Sequence, residues 1–123
     1  MKAVSDMTET PSFIHLKVHS EYSLVDGLVR VPALINKAVE LNQPAIALTD
    51  LSNFYALIKF YSAAIAKGVK PLCGCDLLVL GDKGEDNASI LTFLVKNNEG
   101  YQNTFYNNFH LMDYCYNLIH ENI

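Results

Sequence analysis

Ala45-Ile-Ala-Leu-Thr49 is an uncharged run entered through Gln43-Pro44 and left at Asp50. A run so short and apolar reads as a strand buried on both faces, which needs cover above and below. The flanking segments can supply it. Upstream, Leu34, Ile35, Ala38, Val39 and Leu41 recur at helical spacing. They follow Pro32, whose missing N–H costs nothing in a first turn, and predict an amphipathic helix ending near Asn42. Downstream, Leu57, Tyr61, Ala64 and Ile65 mark the expected inward stripe of a second helix. Ser52 or Asn53 is its expected cap, and Lys67-Gly68 its stop. A buried strand between two amphipathic helices constrains the chain to a layered α/β arrangement.

The rest of the chain extends that pattern. Phe13 to Val18 alternates in the manner of a strand, and a polar loop follows from His19 to Gly27. Pro71 leads into an apolar strand over Leu72–Leu80, interrupted by Asp76. Gly81 to Asn87 is a turn, and Ser89 to Lys96 is a strand pairing back as a hairpin. The order strand, helix, strand, helix, strand, strand predicts an α/β fold with mainly parallel strands and one hairpin. Residues 1–11 form a polar leader and 12–103 the domain. The segment 104–123 is an atypical tail: from Tyr101 onward there is no Lys or Arg, and four of the seven tyrosines fall there. Asn98 could cap a helix at the start of this segment.

At 123 residues the chain can bury one modest core. A net charge of −4 without a basic run argues against a direct grip on nucleic acid. Three cysteines, two of them in Cys73-Gly-Cys75, form neither a disulfide framework nor a zinc site and read as core residues. No apolar run reaches membrane-spanning length, so the expected compartment is the cytoplasm.

Sites in such sheets gather at the carboxyl ends of strands. His19, Asp26 and Asp50 lie just beyond two predicted strand ends, with Asp76 inside a third. His15, His19, Glu21 and Asp26 admit two readings, a metal or phosphate site and an ordinary polar loop. His19 reads as a loop hydrogen-bonder ahead of a working metal ligand, with pairing to a neighbouring carboxylate as the remaining reading. Asp50 reads as a cap or anchor for Ser52 and Asn53. Asp76, an acid between Cys75 and Leu77, requires a partner.

Four segments together resemble a known family: His15-Leu-Lys-Val-His-Ser-Glu-Tyr-Ser-Leu-Val-Asp-Gly27, Pro44-Ala-Ile-Ala-Leu-Thr-Asp50, Gly68-Val-Lys-Pro-Leu-Cys-Gly-Cys-Asp76 and Asn97-Asn-Glu-Gly-Tyr-Gln-Asn103. In order and spacing they resemble the PHP (polymerase and histidinol phosphatase) domain, in the form found at the N-terminus of bacterial DNA polymerase III alpha subunits. The resemblance implies part of a distorted PHP-type (β/α) barrel. It also implies where metal ligands would fall. The family's His-x-His corresponds to Lys17 and His19, its acid before glycine to Asp26, its Thr-Asp-His to Thr49-Asp50-Leu51, and its later Glu to Asp76. An ammonium offers no lone pair and an alkyl group offers nothing. Lys17 would instead place its charge near Asp26 or Asp76, and a buried Lys17–Asp76 pair is the expectation. The resemblance therefore implies a degenerate site at Lys17, His19, Asp26, Asp50, Leu51 and Asp76. No bound metal is expected, with His19, Asp26 and Asp76 as weak candidates.

By the same resemblance the parent is a magnesium-dependent DNA-directed DNA polymerase of chromosome replication. This segment would lack its catalytic region and need no cofactor. It would act as a scaffold and docking surface for the proofreading exonuclease and other replicase subunits. A metal-dependent phosphoesterase and a stand-alone interaction module are the alternatives. Family members continue well beyond this length, and Thr104-Phe-Tyr-Asn-Asn-Phe109 stands where they show a Leu/Ile helix. The expectation is a truncated domain with a tail read in a shifted frame.

Overall fold

A computed structural model describes residues 13–79 and 89–106. The expected leader, the Gly81–Asn87 turn and the tail beyond residue 106 lie outside the described residues.

Pro32 begins the first helix, α1 (Val31–Glu40), in place of a side-chain cap on Arg30. One face buries Val31, Leu34, Ile35 and Ala38. The helix closes where Asn42 turns left-handed at φ 53, with Asn42 N–H donating to Val39 O at 3.0 Å and Gln43 N–H to Ala38 O at 2.9 Å. This paired closure satisfies two otherwise orphan carbonyls. The chain then enters β1 (Ala45–Leu48), buried at every residue, as its composition requires.

The second helix, α2 (Leu57–Ala66), corrects the expected stripe. Its buried side chains are Phe60 and Ala64, continuing the line from buried Ala56, whereas Tyr61 and Ile65 are 51% and 56% exposed. Alanines one turn either side of Phe60 let the ring reach the core, where Phe60 is fully buried with Ile35 and Ile46. The row one position along, Leu57, Tyr61 and Ile65, is rotated away from it. Neither Ser52 nor Asn53 caps α2, whose N-cap position is Ala56, without a side-chain cap. Asn53 instead donates to the carbonyls of Tyr22 and Leu51 and accepts from Tyr55 N–H. Gly68 ends the helix at φ 73 as expected.

The sheet has the order β1-β2-β3, where β2 is Lys70–Val79 and β3 is Ser89–Leu94. β1 and β2 are parallel from Ala45↔Lys70 to Leu48↔Cys73, and β2 and β3 form the expected antiparallel hairpin pair from Gly74↔Leu94 to Val79↔Ser89. The parallel register reappears at Leu51↔Asp76, where Asp76 N–H donates to Asp50 O and Ser52 N–H to Asp76 O. Asp76 is thus held by backbone on one side while its strand pairs with β3 on the other. A methyl at Gly74 would press on the Phe93 carbonyl, Leu94 and the Thr49 methyl, so glycine lets the strands close together there.

The segment expected as a first strand is not a regular ladder strand. It lies along β1, with Ala47 N–H donating to His15 O at 2.9 Å and Thr49 N–H to Val18 O at 2.8 Å. Two steps on β1 are matched by three on the other segment. The extra residue leaves Val18 N–H facing the Thr49 hydroxyl, which accepts it at 3.1 Å. This slip falls immediately before His19.

After β3, residues 98–106 are helical. The cap is Asn97, one residue before the expected Asn98, with its carboxamide oxygen accepting Gly100 N–H at 2.8 Å.

Candidate functional site: two buried carboxylates at the strand ends

The loop after His19 folds on itself before it makes any site. Ser23 N–H donates to Ser20 O at 2.9 Å, Gly27 N–H to Ser23 O at 2.7 Å, and Glu21 N–H to Val29 O at 2.8 Å. Gly27 lies so close to the Ser20 carbonyl that a Cβ would overlap it.

Asp50, 2% exposed, anchors this loop from the end of β1. Its Oδ1 accepts Ser20 N–H at 2.6 Å and the Ser23 hydroxyl at 3.0 Å, and its Oδ2 accepts the Ser20 hydroxyl at 2.7 Å. Ser23 Oγ in turn accepts Leu51 N–H at 2.9 Å, and Ser20 Oγ accepts Tyr22 N–H at 3.2 Å. The anchoring role expected for Asp50 is therefore exercised on Ser20 and Ser23, not on Ser52 and Asn53. Sequence pattern missed both serines. The signal available was small hydroxyls spaced three apart beside an acid-terminated strand.

Asp76 is fully buried in β2. Its Oδ2 lies 2.9 Å from Lys17 Nζ and 2.7 Å from His19 Nε2, and its Oδ1 accepts the Thr92 hydroxyl of β3 at 2.6 Å. The expected Lys17–Asp76 pair is present. It is buried at the acid alone, because the Lys17 side chain is 54% exposed. Thr92, directly across the ladder from Asp76, was not foreseen. His19 Nδ1 faces the half-exposed Asp26 carboxylate, 2.9 Å from each oxygen. His15 lies apart, its ring edge-on to Phe13 at a centroid distance of 4.7 Å.

Both imidazole nitrogens of His19 therefore meet carboxylates, and only the doubly protonated ring can donate to both. Burial pushes the His19 pKa down. The hydrogen bonds to Asp76 and Asp26, with the charges of both acids, outweigh it and leave the value raised above 6.5. Burial likewise pushes Asp76 up, and the hydrogen bonds from Thr92, Lys17 and His19, with the Lys17 charge, bring it below 3.8. The resulting cluster has two basic and two acidic side chains, with Asp76 at its centre.

These residues do not fit a metal cluster. Lys17 places an ammonium against Asp76 Oδ2, and the Leu51 side chain has no donor atom. Both ring nitrogens of His19 are engaged. Among the described residues, no group of three or more His, Cys, Asp or Glu side chains could hold a metal ion. Chemically, the arrangement can hold two segments together through charge and can donate protons from Lys17 and His19.

Residues 15–117 match the family model of the PHP domain. The chain belongs to the PHP domain family. It is 48% identical over 93 residues to the DNA polymerase III subunit alpha of Vibrio cholerae, 47% over 93 to that of Escherichia coli K12, and 46% over 94 to that of Pseudomonas aeruginosa. Each alignment covers 76% of this chain and 8% of the relative, so the chain spans a small part of the curated relatives it matches. Among solved structures it resembles an amidohydrolase from Chromobacterium violaceum with TM-score 0.57 and 24% identity, over 68% of this chain and 28% of that one. A protein assigned as a metal-dependent phosphoesterase, from Bifidobacterium adolescentis, matches with TM-score 0.53 and 18% identity, over 71% and 29%. These likenesses show the fold: this PHP chain carries part of a barrel-type α/β architecture. Among its described residues no helix is long and apolar enough to cross a membrane.

Proposed function

We propose that this PHP chain serves as a structural segment of a replicative DNA polymerase III alpha subunit, with a salt-bridge network where other family members hold metal. The polymerase chemistry and its magnesium belong to the parent enzyme, and the setting is the bacterial cytoplasm. The segment itself needs no cofactor. It stabilises the domain and offers a docking surface to the proofreading exonuclease and other replicase subunits.

The observation that carries the reading is the Lys17 ammonium 2.9 Å from Asp76 Oδ2, with His19 at 2.7 Å from the same oxygen. Two cationic groups supply the charge that a divalent ion would otherwise bring to a buried carboxylate. The identity to alpha subunits supports the parentage. A phosphoesterase would need several ions and a metal-bound water, and Lys17 and Leu51 deprive it of both.

Two measurements on the 123-residue chain test the proposal. Dialysis against zinc, manganese and magnesium followed by elemental analysis should find under one ion per chain, with no turnover of p-nitrophenyl phosphate. Two or more ions accompanied by turnover would make the protein a phosphoesterase. Co-purification with the proofreading exonuclease tests docking separately, and its absence with a folded chain would remove that role.

A further inference from the structure

The row of α2 that misses the core, Leu57, Tyr61 and its neighbour Ile58, opens onto a groove of about 690 Å³. Its floor is the start of β2, Pro71 and Leu72, and Tyr101 of the 98–106 helix lines its far side. Ile58 is 81% exposed and Tyr61, one turn on, 51%, so the two form one contiguous apolar patch on α2.

The rim is cationic. Lys70 and Lys96 both line the groove, and among the described residues neither has a carboxylate partner and no Asp or Glu contributes to the lining. That contrasts with a chain whose net charge is −4. Asn97 and Asn98, at the start of the 98–106 helix, also line it, so the positive end of that helix adds to the field.

The backbone restricts how the groove can be filled. Lys70 N–H donates toward β1, to Pro44 O, so the alternation of a strand turns residue 71 toward the groove side. Residue 71 is proline and has no N–H. Val69 N–H is already spent on Ala64 O. An added strand would find no donor at residue 69 or 71, which disfavours β-augmentation at the start of β2. A helix, which satisfies its own backbone, is not hindered in this way.

We propose that this groove docks an acidic amphipathic helix, with apolar side chains seated against Tyr61, Pro71 and Tyr101 and carboxylates facing Lys70 and Lys96. The inference stands on the groove alone and does not depend on the reading of the Asp76 cluster.

The test uses the 123-residue chain and a fluorescein-labelled 16-residue helical peptide. The peptide carries Leu and Phe at i, i+3, i+4 and i+7, and Glu and Asp elsewhere. A second peptide carries Lys in place of every acid. The acidic peptide should bind with an anisotropy change that weakens as salt rises from about 0.05 to 0.5 M. The double variant K70E/K96E should weaken it at least tenfold, and Tyr61→Asp, at an exposed position, should do the same without altering circular dichroism. Cys73 also lines the groove, half-buried, with burial pushing its thiol pKa up. Bound peptide should therefore slow Cys73 alkylation by N-ethylmaleimide several-fold, read by peptide mass spectrometry. No binding by the acidic peptide, equal binding by the lysine peptide, or unchanged binding to K70E/K96E would each overturn the proposal.

Discussion

Asp50, just past the end of β1, and Asp76, within the adjoining β2, are both buried and are held in opposite ways. Asp50 is satisfied by neutral donors, a backbone amide and two serine hydroxyls. Asp76 is satisfied by an ammonium, an imidazole and one hydroxyl. The neutral hub fixes the loop that follows His19. The charged hub joins that loop to β2 and β3. Hydroxyls can exchange donor for acceptor and so tolerate an amide in place of the acid. An ammonium can only donate, and a protonated imidazole likewise. The two hubs should therefore respond differently to the same substitution.

The largest expected effect separates them directly. Asp76→Asn removes the anion between two cations and should cost about 3 kcal/mol in urea unfolding. Asp50→Asn, whose hydroxyl partners can rotate, should cost about 1 kcal/mol. Equal costs would erase the distinction. Next in size is Lys17→Met, expected at about 1 kcal/mol because the lysine is half-exposed and screened. Its cost should shrink between about 0.05 and 0.5 M salt, whereas that of Asp50→Asn should not. A salt-independent Lys17→Met would place the lysine's contribution in packing instead of charge.

The smallest effect is a pH profile. His19 has a raised pKa, so its contribution is complete below its ordinary 6.5 and is lost as pH climbs through the raised value. Asp76 has a lowered pKa, so its contribution is present above its ordinary 3.8 and is lost as pH falls through the lowered value. The stability difference between the unsubstituted chain and His19→Gln should thus be greatest between roughly pH 4 and 6.5 and decline toward pH 9. Chemical denaturation at four pH values measures it. A flat difference would mean that His19 acts as a neutral ring.

The layered α/β order was legible from apolar runs and helical spacing, and so were the hairpin and the glycine at Gly68. The Lys17–Asp76 pair was legible too, since an acid amid apolar neighbours demands a partner and a lysine occupied a ligand position of a resembled family. What escaped has physical causes. Helical spacing cannot separate two apolar rows one residue apart, and small Ala56 and Ala64, not larger Tyr61 and Ile65, set which row of α2 packs inward. The regular strand expected over Phe13–Val18 failed on a single hydroxyl, because Thr49 Oγ1 accepts the Val18 amide that a ladder would have used. Ser20 and Ser23 carry no pattern of their own. Their role exists only once β1 ends beside them.

The bond from Asp76 N–H to Asp50 O, and its neighbour from Ser52 N–H to Asp76 O, have one more consequence. They make the two hubs mechanically one object. Neither carboxylate can leave its partners without tugging the peptide that positions the other. Opening at this place should be concerted, with the amides of Ser20, Asp76 and Ser52 exchanging with deuterium at a common rate. Double substitutions at the two acids should depart from additivity in the same spirit. The strand ends here behave less like two sites than like a single latch.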